Sequence, residues 1–158
     1  MKYLLLGGAQ SVGKTETIYR TAQFLLGRGF TVHSGTIPTT PVDFTAVLQG
    51  VDNSGVVIYI LVNGATDTPA IINNFVKFYN GLSITVDIII SSVRDGSYSE
   101  RQYFFQQMNI NLAVDSVLEI PLAKITRQGG NFPPAIRWYR QTLDTLIKHS
   151  LARNPFNL

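Results

Sequence analysis

Short apolar runs alternate with helical stripes along this chain. Residues 3–6, 30–33, 44–48, 56–62, 84–91 and 117–122 form the runs, and each predicts a strand. Between most of the runs, apolar residues recur every three or four positions, which indicates amphipathic helices. The helices are predicted to begin near Lys14, near Pro69, near Ser97 and near Ile136. Ser97 and Glu100 match the capping-box pattern S-x-x-E, which predicts the start of the third helix.

The order of these elements predicts the fold class. A turn-like segment rich in Gly, Asp and Asn separates residues 44–48 from residues 56–62, so the pair predicts a β-hairpin, with a short helix over residues 44–48 as the alternative. Elsewhere strands and helices alternate, which is typical of parallel strands joined by right-handed crossovers. We therefore expect an α/β fold of three layers, with a mostly parallel sheet, one hairpin at its edge, and a single domain over residues 1–158.

Composition narrows the class of protein. Hydrophobic residues make up 45% of the chain and charged residues only 15%, which favours an ordered globular protein whose surface suits a protein partner. The absence of cysteine excludes disulfides, thiolate metal ligands and cysteine nucleophiles. Residues 56–62, the longest apolar run, are too short for membrane insertion, and the net charge of +3 is too dispersed to support a nucleic-acid partner. Because the first strand follows Met1 and Lys2 directly, without a signal peptide, we expect a cytoplasmic protein.

Residues 8–15 carry the most specific motif. They read GAQSVGKT and match the phosphate-loop pattern G-x-x-x-x-G-K-[ST] at every fixed position. The segment lies between the first apolar run and the first helical stripe, which is the setting that the pattern requires. Glycines allow backbone N–H groups to surround a phosphate, and the helix N-terminus favours an anion. Lys14 can then reach the terminal phosphates, and the Thr15 hydroxyl can bind Mg²⁺. The motif predicts a site for a nucleoside triphosphate.

Acidic residues after the predicted strands are candidates for the same site. In a doubly wound sheet, the loops that follow parallel strands gather at the edge that holds the ligand. A metal ligand there is usually an Asp, but Asn63 follows residues 56–62, and the first acid is Asp67. Asp67 is predicted to order the metal or an attacking water, or to support the N-terminus of the next helix, and the two roles are compatible. Asp43 and Asp95 are secondary candidates.

Two arginines follow later strands. Arg94 is predicted either to neutralise charge that develops on the terminal phosphate or to form an ion pair with Asp95 or Glu100. Arg127 is a candidate for a contact to the base or the ribose. The predicted catalytic residues are Lys14, Asp67 and Arg94.

With these residues, the chain resembles the P-loop NTPases of the Walker A type, closely over residues 3–34 and in general topology beyond them. The resemblance implies a sheet of the P-loop NTPase type, ATP or another nucleoside triphosphate as the ligand, and Mg²⁺ held by Thr15 and Asp67. The nucleotide-binding residues that it implies are Gly8, Ser11, Val12, Gly13, Lys14, Thr15 and Glu16. Residues 92–95 lack the Asn and Lys of the guanine-reading pattern N-K-x-D, so guanine specificity is not supported. The chain is also similar to small ATP-binding proteins whose roles are not characterised.

Three functions fit such a site. The first is slow hydrolysis of the triphosphate, as a switch whose state a protein partner reads. The second is a small-molecule or nucleotide kinase that passes the γ-phosphate to a hydroxyl group, with the hydroxyl-rich residues 34–42 as the candidate acceptor site. The third is a nucleotide-stabilised interaction module without catalysis, which Asn63 favours because it replaces the expected strand-end carboxylate.

Overall fold

Strands and helices alternate through residues 1–124 and 133–158, the part of the chain that the computed structural model describes. The strands are β1 (Lys2–Gly7), β2 (Thr31–Gly35), β3 (Thr45–Val51), β4 (Val57–Asn63), β5 (Ile88–Val93) and β6 (Ser116–Pro121). The helices are α1 (Lys14–Gly27), α2 (Pro69–Asn80), α3 (Ser99–Gln107) and α4 (Pro133–Leu151). Within these two ranges, no helix combines the length and the apolar character that a membrane span requires.

The strands of the described ranges form one mixed sheet in the order β2-β3-β4-β5-β1-β6. β4, β5, β1 and β6 are parallel, whereas β3 runs antiparallel to both of its neighbours, β2 and β4. The predicted α/β class is confirmed, and β3 and β4 form the predicted hairpin. The alternative of a short helix at residues 44–48 is wrong. The antiparallel edge also includes β2, so it is a three-stranded unit rather than a hairpin alone.

Helices cover both faces of the sheet, and the sheet divides the core into two apolar layers. Successive residues of β1 show this division, because Leu4 and Leu6 pack on one face and Tyr3 and Leu5 on the other. Residues of α1 and α4 pack on the first face, and residues of α2 and α3 on the second. The predicted three-layer arrangement is therefore present. The central strands are continuous apolar runs because both of their faces are buried.

Strand boundaries differ from the sequence prediction by two to four residues at the ends of β2 and β3 and at both ends of β5. β2 extends to Gly35 because Ser34 and Gly35 continue to pair with β3 after a bulge. β5 begins at Ile88, four residues later than predicted. The reason lies at Asp87, where the carboxylate Oδ2 accepts a hydrogen bond from the Tyr59 N–H at 2.8 Å and takes the place of a strand carbonyl.

The S-x-x-E pattern of Ser97 and Glu100 does not form a capping box. α3 begins at Ser99, and its N-cap residue is Tyr98. Within the described part of the chain, the Tyr98 side chain makes no capping hydrogen bond. The Ser97 N–H donates to Asp95 Oδ1 at 3.4 Å instead, and Glu100 accepts from the Ser99 hydroxyl at 3.3 Å. Asp95 thus accepts hydrogen bonds from Ser97, the serine that the pattern predicts as the helix cap.

Candidate functional site

The loop predicted to bind phosphate, residues 8–15, lies at the carboxyl ends of three parallel strands. It follows β1, whose neighbours in the sheet are β5 and β6, and it leads into α1. Gly8 has a φ of +151°, and a β-carbon there would lie 3.0 Å from Val12 Cγ2 and 3.1 Å from Leu122 O. The Gly8 N–H also donates to Val93 O at 3.3 Å. The ends of β5 and β6 therefore hold the start of the loop against the sheet.

The loop backbone changes direction where it enters α1. Ser11 has a φ of +63° and Gly13, the N-cap residue of α1, a φ of +89°. Left-handed residues turn successive N–H groups toward one side of the chain, and the first turn of a helix has N–H groups without partners in the helix. Gly13 can hold this conformation without the strain that a β-carbon would introduce. The loop therefore combines two left-handed residues with a helix N-terminus, which are local conformations also found in anion sites.

Lys14 is the first residue of α1, and its side chain is buried, with 6% of its surface exposed. Nζ donates to Gly8 O at 2.9 Å and to Ala9 O at 2.8 Å, so the ammonium group lies against the loop itself. Burial lowers the pKa of Lys14 below its ordinary value of 10.5, and the Asp67 carboxylate opposes that effect. A cation is thus held in a position with little water, which suits a phosphate partner.

Asp67 lies between Lys14 and Arg94, so three charged side chains are adjacent. Asp67 Oδ1 lies 3.7 Å from Lys14 Nζ and 3.0 Å from Arg94 Nε. Both Asp67 Oδ1 and Arg94 Nε are shielded from solvent, and neither makes an aligned hydrogen bond with the described residues. The Arg94 guanidinium also lies over the Tyr98 ring, 5.3 Å from its centre. The structure therefore brings the three predicted catalytic residues together, with a carboxylate shared between two cations.

Asp67 was alternatively predicted to support the N-terminus of α2, and Arg94 to pair with Asp95 or Glu100. The N-cap residue of α2 is Thr68, whose Oγ1 accepts a hydrogen bond from the Ile71 N–H at 3.3 Å, so Asp67 does not cap that helix. Among the described ion pairs, Arg94 contacts Asp67 and neither Asp95 nor Glu100.

Thr15 lies beside a different carboxylate. Its Oγ1 is 2.9 Å from Asp43 Oδ1 and 3.0 Å from Gly64 O. The hydroxyl has a single proton, so it can donate fully to only one of these two oxygens. Three oxygen atoms therefore meet at the edge of the sheet, and oxygen is the ligand atom that hard cations prefer. Thr15 was predicted to share a metal with Asp67, but in the structure Asp43 is its acidic neighbour, while Asp67 contacts cations.

Asp43 reaches this edge because of the β3–β4 hairpin. β3 runs antiparallel to β4, so the start of β3 lies beside the end of β4. The Gly64 N–H donates to Phe44 O at 2.9 Å, and a β-carbon at Gly64 would lie 3.3 Å from Phe44 N. The predicted hairpin contained the signal for Asp43, because it places the residues that precede β3 near the phosphate loop.

Asn63, which stands where a strand-end acid was expected, ties three strands together. It is buried, and its Oδ1 accepts from the Thr45 hydroxyl at 2.9 Å. Its Nδ2 donates to Ala65 O at 2.8 Å and to Ser91 Oγ at 3.0 Å. Both ends of the amide are therefore used within the fold, and a carboxylate would lack the two donated hydrogen bonds. Asn63 has a structural role in this conformation.

Glu16 lies in the first turn of α1 and lines a cleft beside Ser11 and Gly13 of the loop. Its carboxylate oxygens lie 2.7 Å from Arg140 Nη2 and 3.2 Å from Arg20 Nη1. Arg20 Nε in turn contacts both carboxylate oxygens of Asp144 at 3.0 Å. The side chain that was predicted to contact the nucleotide thus belongs to an ion-pair network that joins α1 to α4.

A cleft of about 300 Å³ lies between the phosphate loop and α4. Ser11, Val12 and Gly13 line it from the loop, and Tyr139 lines it from the helix. Arg127, predicted to contact the base or the ribose, lies outside the described residues.

Within residues 1–124 and 133–158, no three His, Asp or Glu side chains gather closely enough to hold a metal ion by themselves. No protein-family model, curated protein or solved structure matches the chain. The function must therefore be inferred from the residues around Lys14 and Thr15.

Proposed function

We propose that residues 8–15 bind the phosphates of a nucleoside triphosphate such as ATP together with Mg²⁺, and that the protein hydrolyses it slowly as a switch for a protein partner. The observation that carries the proposal is the buried Lys14 side chain, whose ammonium group lies against a loop that contains two left-handed residues. Burying this charge is unfavourable, and a phosphate partner offsets that cost. The resemblance of residues 8–15 to a Walker A loop supports the same assignment.

The charges define the orientation of the nucleotide. Lys14, Arg94 and the oxygen cluster at Thr15 lie on the side of the loop that faces the ends of β4 and β5. Cations and a metal stabilise the terminal phosphates, so these phosphates point to that side. The nucleoside then lies on the opposite side, in the cleft of about 300 Å³ that Ser11 and Tyr139 line. A volume of this size is at the lower end of the range for small-molecule sites.

Thr15, Asp43 and Gly64 O fit the Mg²⁺ that accompanies a triphosphate. Neighbouring ligands in an octahedron with Mg–O distances of about 2.0–2.1 Å lie roughly 2.9–3.0 Å apart. The Thr15 hydroxyl has that separation from Asp43 Oδ1, at 2.9 Å, and from Gly64 O, at 3.0 Å. We assign the carboxylate ligand to Asp43 rather than Asp67, since Asp67 already lies against Lys14 and Arg94. The bound metal would neutralise charge on the terminal phosphates.

Lys14 and Arg94 stabilise the negative charge of the triphosphate, and Asp67 orients the attacking water. In the free protein, Asp67 lies 3.7 Å from Lys14 Nζ and 3.0 Å from Arg94 Nε. A terminal phosphate competes for both cations, which releases Asp67 to orient a water molecule toward the phosphorus. The same competition weakens nucleotide binding, because the carboxylate must leave two favourable contacts.

The proposal is tested by thermal unfolding and phosphate release with Mg-ATP. Lys14→Met keeps the apolar stem of the side chain and removes its charge, and Lys77→Met makes the same change at an exposed lysine of α2. We expect Mg-ATP to raise the Tm of the wild type and of Lys77→Met but not of Lys14→Met, because the bound ligand stabilises only a protein that can hold it. Phosphate release should follow the same pattern. An equal rise in the Tm of Lys14→Met would overturn the proposal.

A further inference from the structure

We propose that a second cleft, beside the Thr15–Asp43 contact, binds a small alcohol that accepts the terminal phosphoryl group. This inference rests on the proposed function, because it needs a triphosphate on residues 8–15. The cleft has a volume of about 280 Å³ and lies between the start of β3, the end of β4 and α2. Slow hydrolysis is then the reaction with water when the acceptor is absent.

The position of this cleft places it at the terminal-phosphate end of the nucleotide. Asp43 lines the cleft and also accepts the Thr15 hydroxyl at 2.9 Å. Asn63 and Ala65 line it too, and they flank Gly64, whose carbonyl oxygen lies 3.0 Å from Thr15 Oγ1. The nucleoside cleft lies on the opposite side of the loop. The second cleft is joined to the phosphate loop through Asp43, which contacts Thr15. A bound molecule near each end of the phosphates is the arrangement needed for transfer between the two.

The walls of the cleft indicate the chemical class of the acceptor. Phe44, Phe75, Phe78 and Ile71 supply apolar surface, and Asn74 presents an exposed amide. Aromatic walls with a few polar groups are typical of small-molecule sites, and the volume lies near the lower limit of about 300 Å³ for such sites. The fitting acceptor is a compact molecule with a ring and a hydroxyl group.

The segment that leads to Asp43 is held in place by α1. The Tyr19 hydroxyl donates to Thr39 O at 3.0 Å, and the Tyr19 ring packs edge-on against Phe44 with 6.4 Å between ring centres. The lining of the cleft begins at Asp43, just after residues 34–42, which were predicted to form the acceptor site. α1 therefore positions both the phosphate loop and one wall of the cleft.

The transfer step involves only the triphosphate and the acceptor hydroxyl group. The acceptor hydroxyl oxygen forms a bond to the terminal phosphorus while the bond from that phosphorus to the bridging oxygen breaks. The nucleoside diphosphate leaves with the electron pair of the broken bond. The hydroxyl proton passes to an oxygen of the transferred phosphoryl group, since Asp43 is assigned to the metal.

The test fills the cleft without changing the phosphate loop. Asn74→Trp places a large side chain at the cleft, and Asn80→Trp makes the same change at the last residue of α2, which does not line it. Both asparagines are exposed, so we expect both variants to fold. Each protein is incubated with Mg-ATP radiolabelled at the γ-phosphate, the common ribonucleosides and the protein-free small-molecule fraction of a cell extract. Chromatography then separates labelled organic phosphate from inorganic phosphate.

We expect the wild type and Asn80→Trp to form labelled organic phosphate, and Asn74→Trp to form about a hundredfold less, because displacement of a reactant by an ångström can cost that much in rate. The rise in Tm with Mg-ATP should be the same in all three proteins. If the wild type yields inorganic phosphate only, or if Asn74→Trp yields as much organic phosphate as Asn80→Trp, the acceptor cleft is wrong while nucleotide binding stands. If the wild type shows no rise in Tm with Mg-ATP, the proposed function and this inference fail together.

Discussion

Asp67→Asn is expected to destabilise the free protein and to strengthen nucleotide binding, because it removes a carboxylate that two cations share. Asp67 Oδ1 lies 3.7 Å from Lys14 Nζ and 3.0 Å from Arg94 Nε. At an effective dielectric constant of about 20, each contact corresponds to roughly 4–6 kcal/mol of Coulomb energy. The Asp67 side chain is 35% exposed, so solvent screening reduces the net effect of both contacts to about 1–2 kcal/mol.

This free energy should appear with opposite signs in two measurements. The free energy of unfolding of Asp67→Asn, measured in urea, should fall by about 1–2 kcal/mol because the cations lose their partner. The affinity for a non-hydrolysable ATP analogue, measured by calorimetry, should rise by a factor of roughly 5–30, because the phosphates no longer compete with Asp67. Phosphate release should fall, since Asp67 orients the attacking water.

Asp95→Asn is the matched control. Asp95 is an exposed acid just after β5, and its carboxylate contacts the N–H and hydroxyl of Ser97 rather than a cation of the site. Its loss should leave affinity and turnover unchanged. If Asp67→Asn weakens both binding and turnover, Asp67 contacts the ligand or its metal directly, and the assignment of the metal to Asp43 is wrong.

Three further changes test other parts of the site. Asp43→Asn should raise the Mg²⁺ concentration needed for nucleotide binding about tenfold, since a charged ligand contributes roughly 1.5 kcal/mol, while binding of tripolyphosphate without Mg²⁺ stays the same. Asn63→Asp should lower the free energy of unfolding in urea by about 3 kcal/mol at neutral pH, because a buried carboxylate would face Ala65 O, 2.8 Å from the present amide nitrogen. Because burial lowers the pKa of Lys14 below 10.5, calorimetric affinity for the triphosphate should fall as pH rises through that lowered pKa. The free protein should become more stable over the same alkaline window, since the unfolded chain keeps the Lys14 proton to higher pH, and Lys14→Met should lack both trends.

Local patterns were sufficient to predict the framework of the site. The apolar spacing of the strands and helices follows from which of their faces are buried, so the strands on either side of residues 8–15 could be assigned from the chain alone. The approach of Asp67 and Arg94 to Lys14 was also predictable, because the carboxyl ends of parallel strands share one edge of a sheet.

Contacts between distant segments could not be predicted in the same way. Glu16 is paired with Arg140 of α4, 2.7 Å from its carboxylate, and no local pattern shows which helix packs on α1. Asn63 stands where an acid was expected, and its buried amide bonds to Thr45 and Ser91, which belong to two other strands. Asp43 differs from these two residues, because the predicted antiparallel pairing of β3 with β4 already placed it near the phosphate loop.

The central claim is that residues 8–15 bind a nucleoside triphosphate through Lys14, and calorimetric titration with Mg²⁺ and a non-hydrolysable ATP analogue tests it most directly. We expect one molecule to bind to each chain of the wild type and of Lys77→Met with equal affinity. Lys14→Met should bind at least about tenfold more weakly, because a charge-assisted hydrogen bond contributes about 1.5–3 kcal/mol. Equal affinity in Lys14→Met and Lys77→Met, or no binding to the wild type, would contradict the claim.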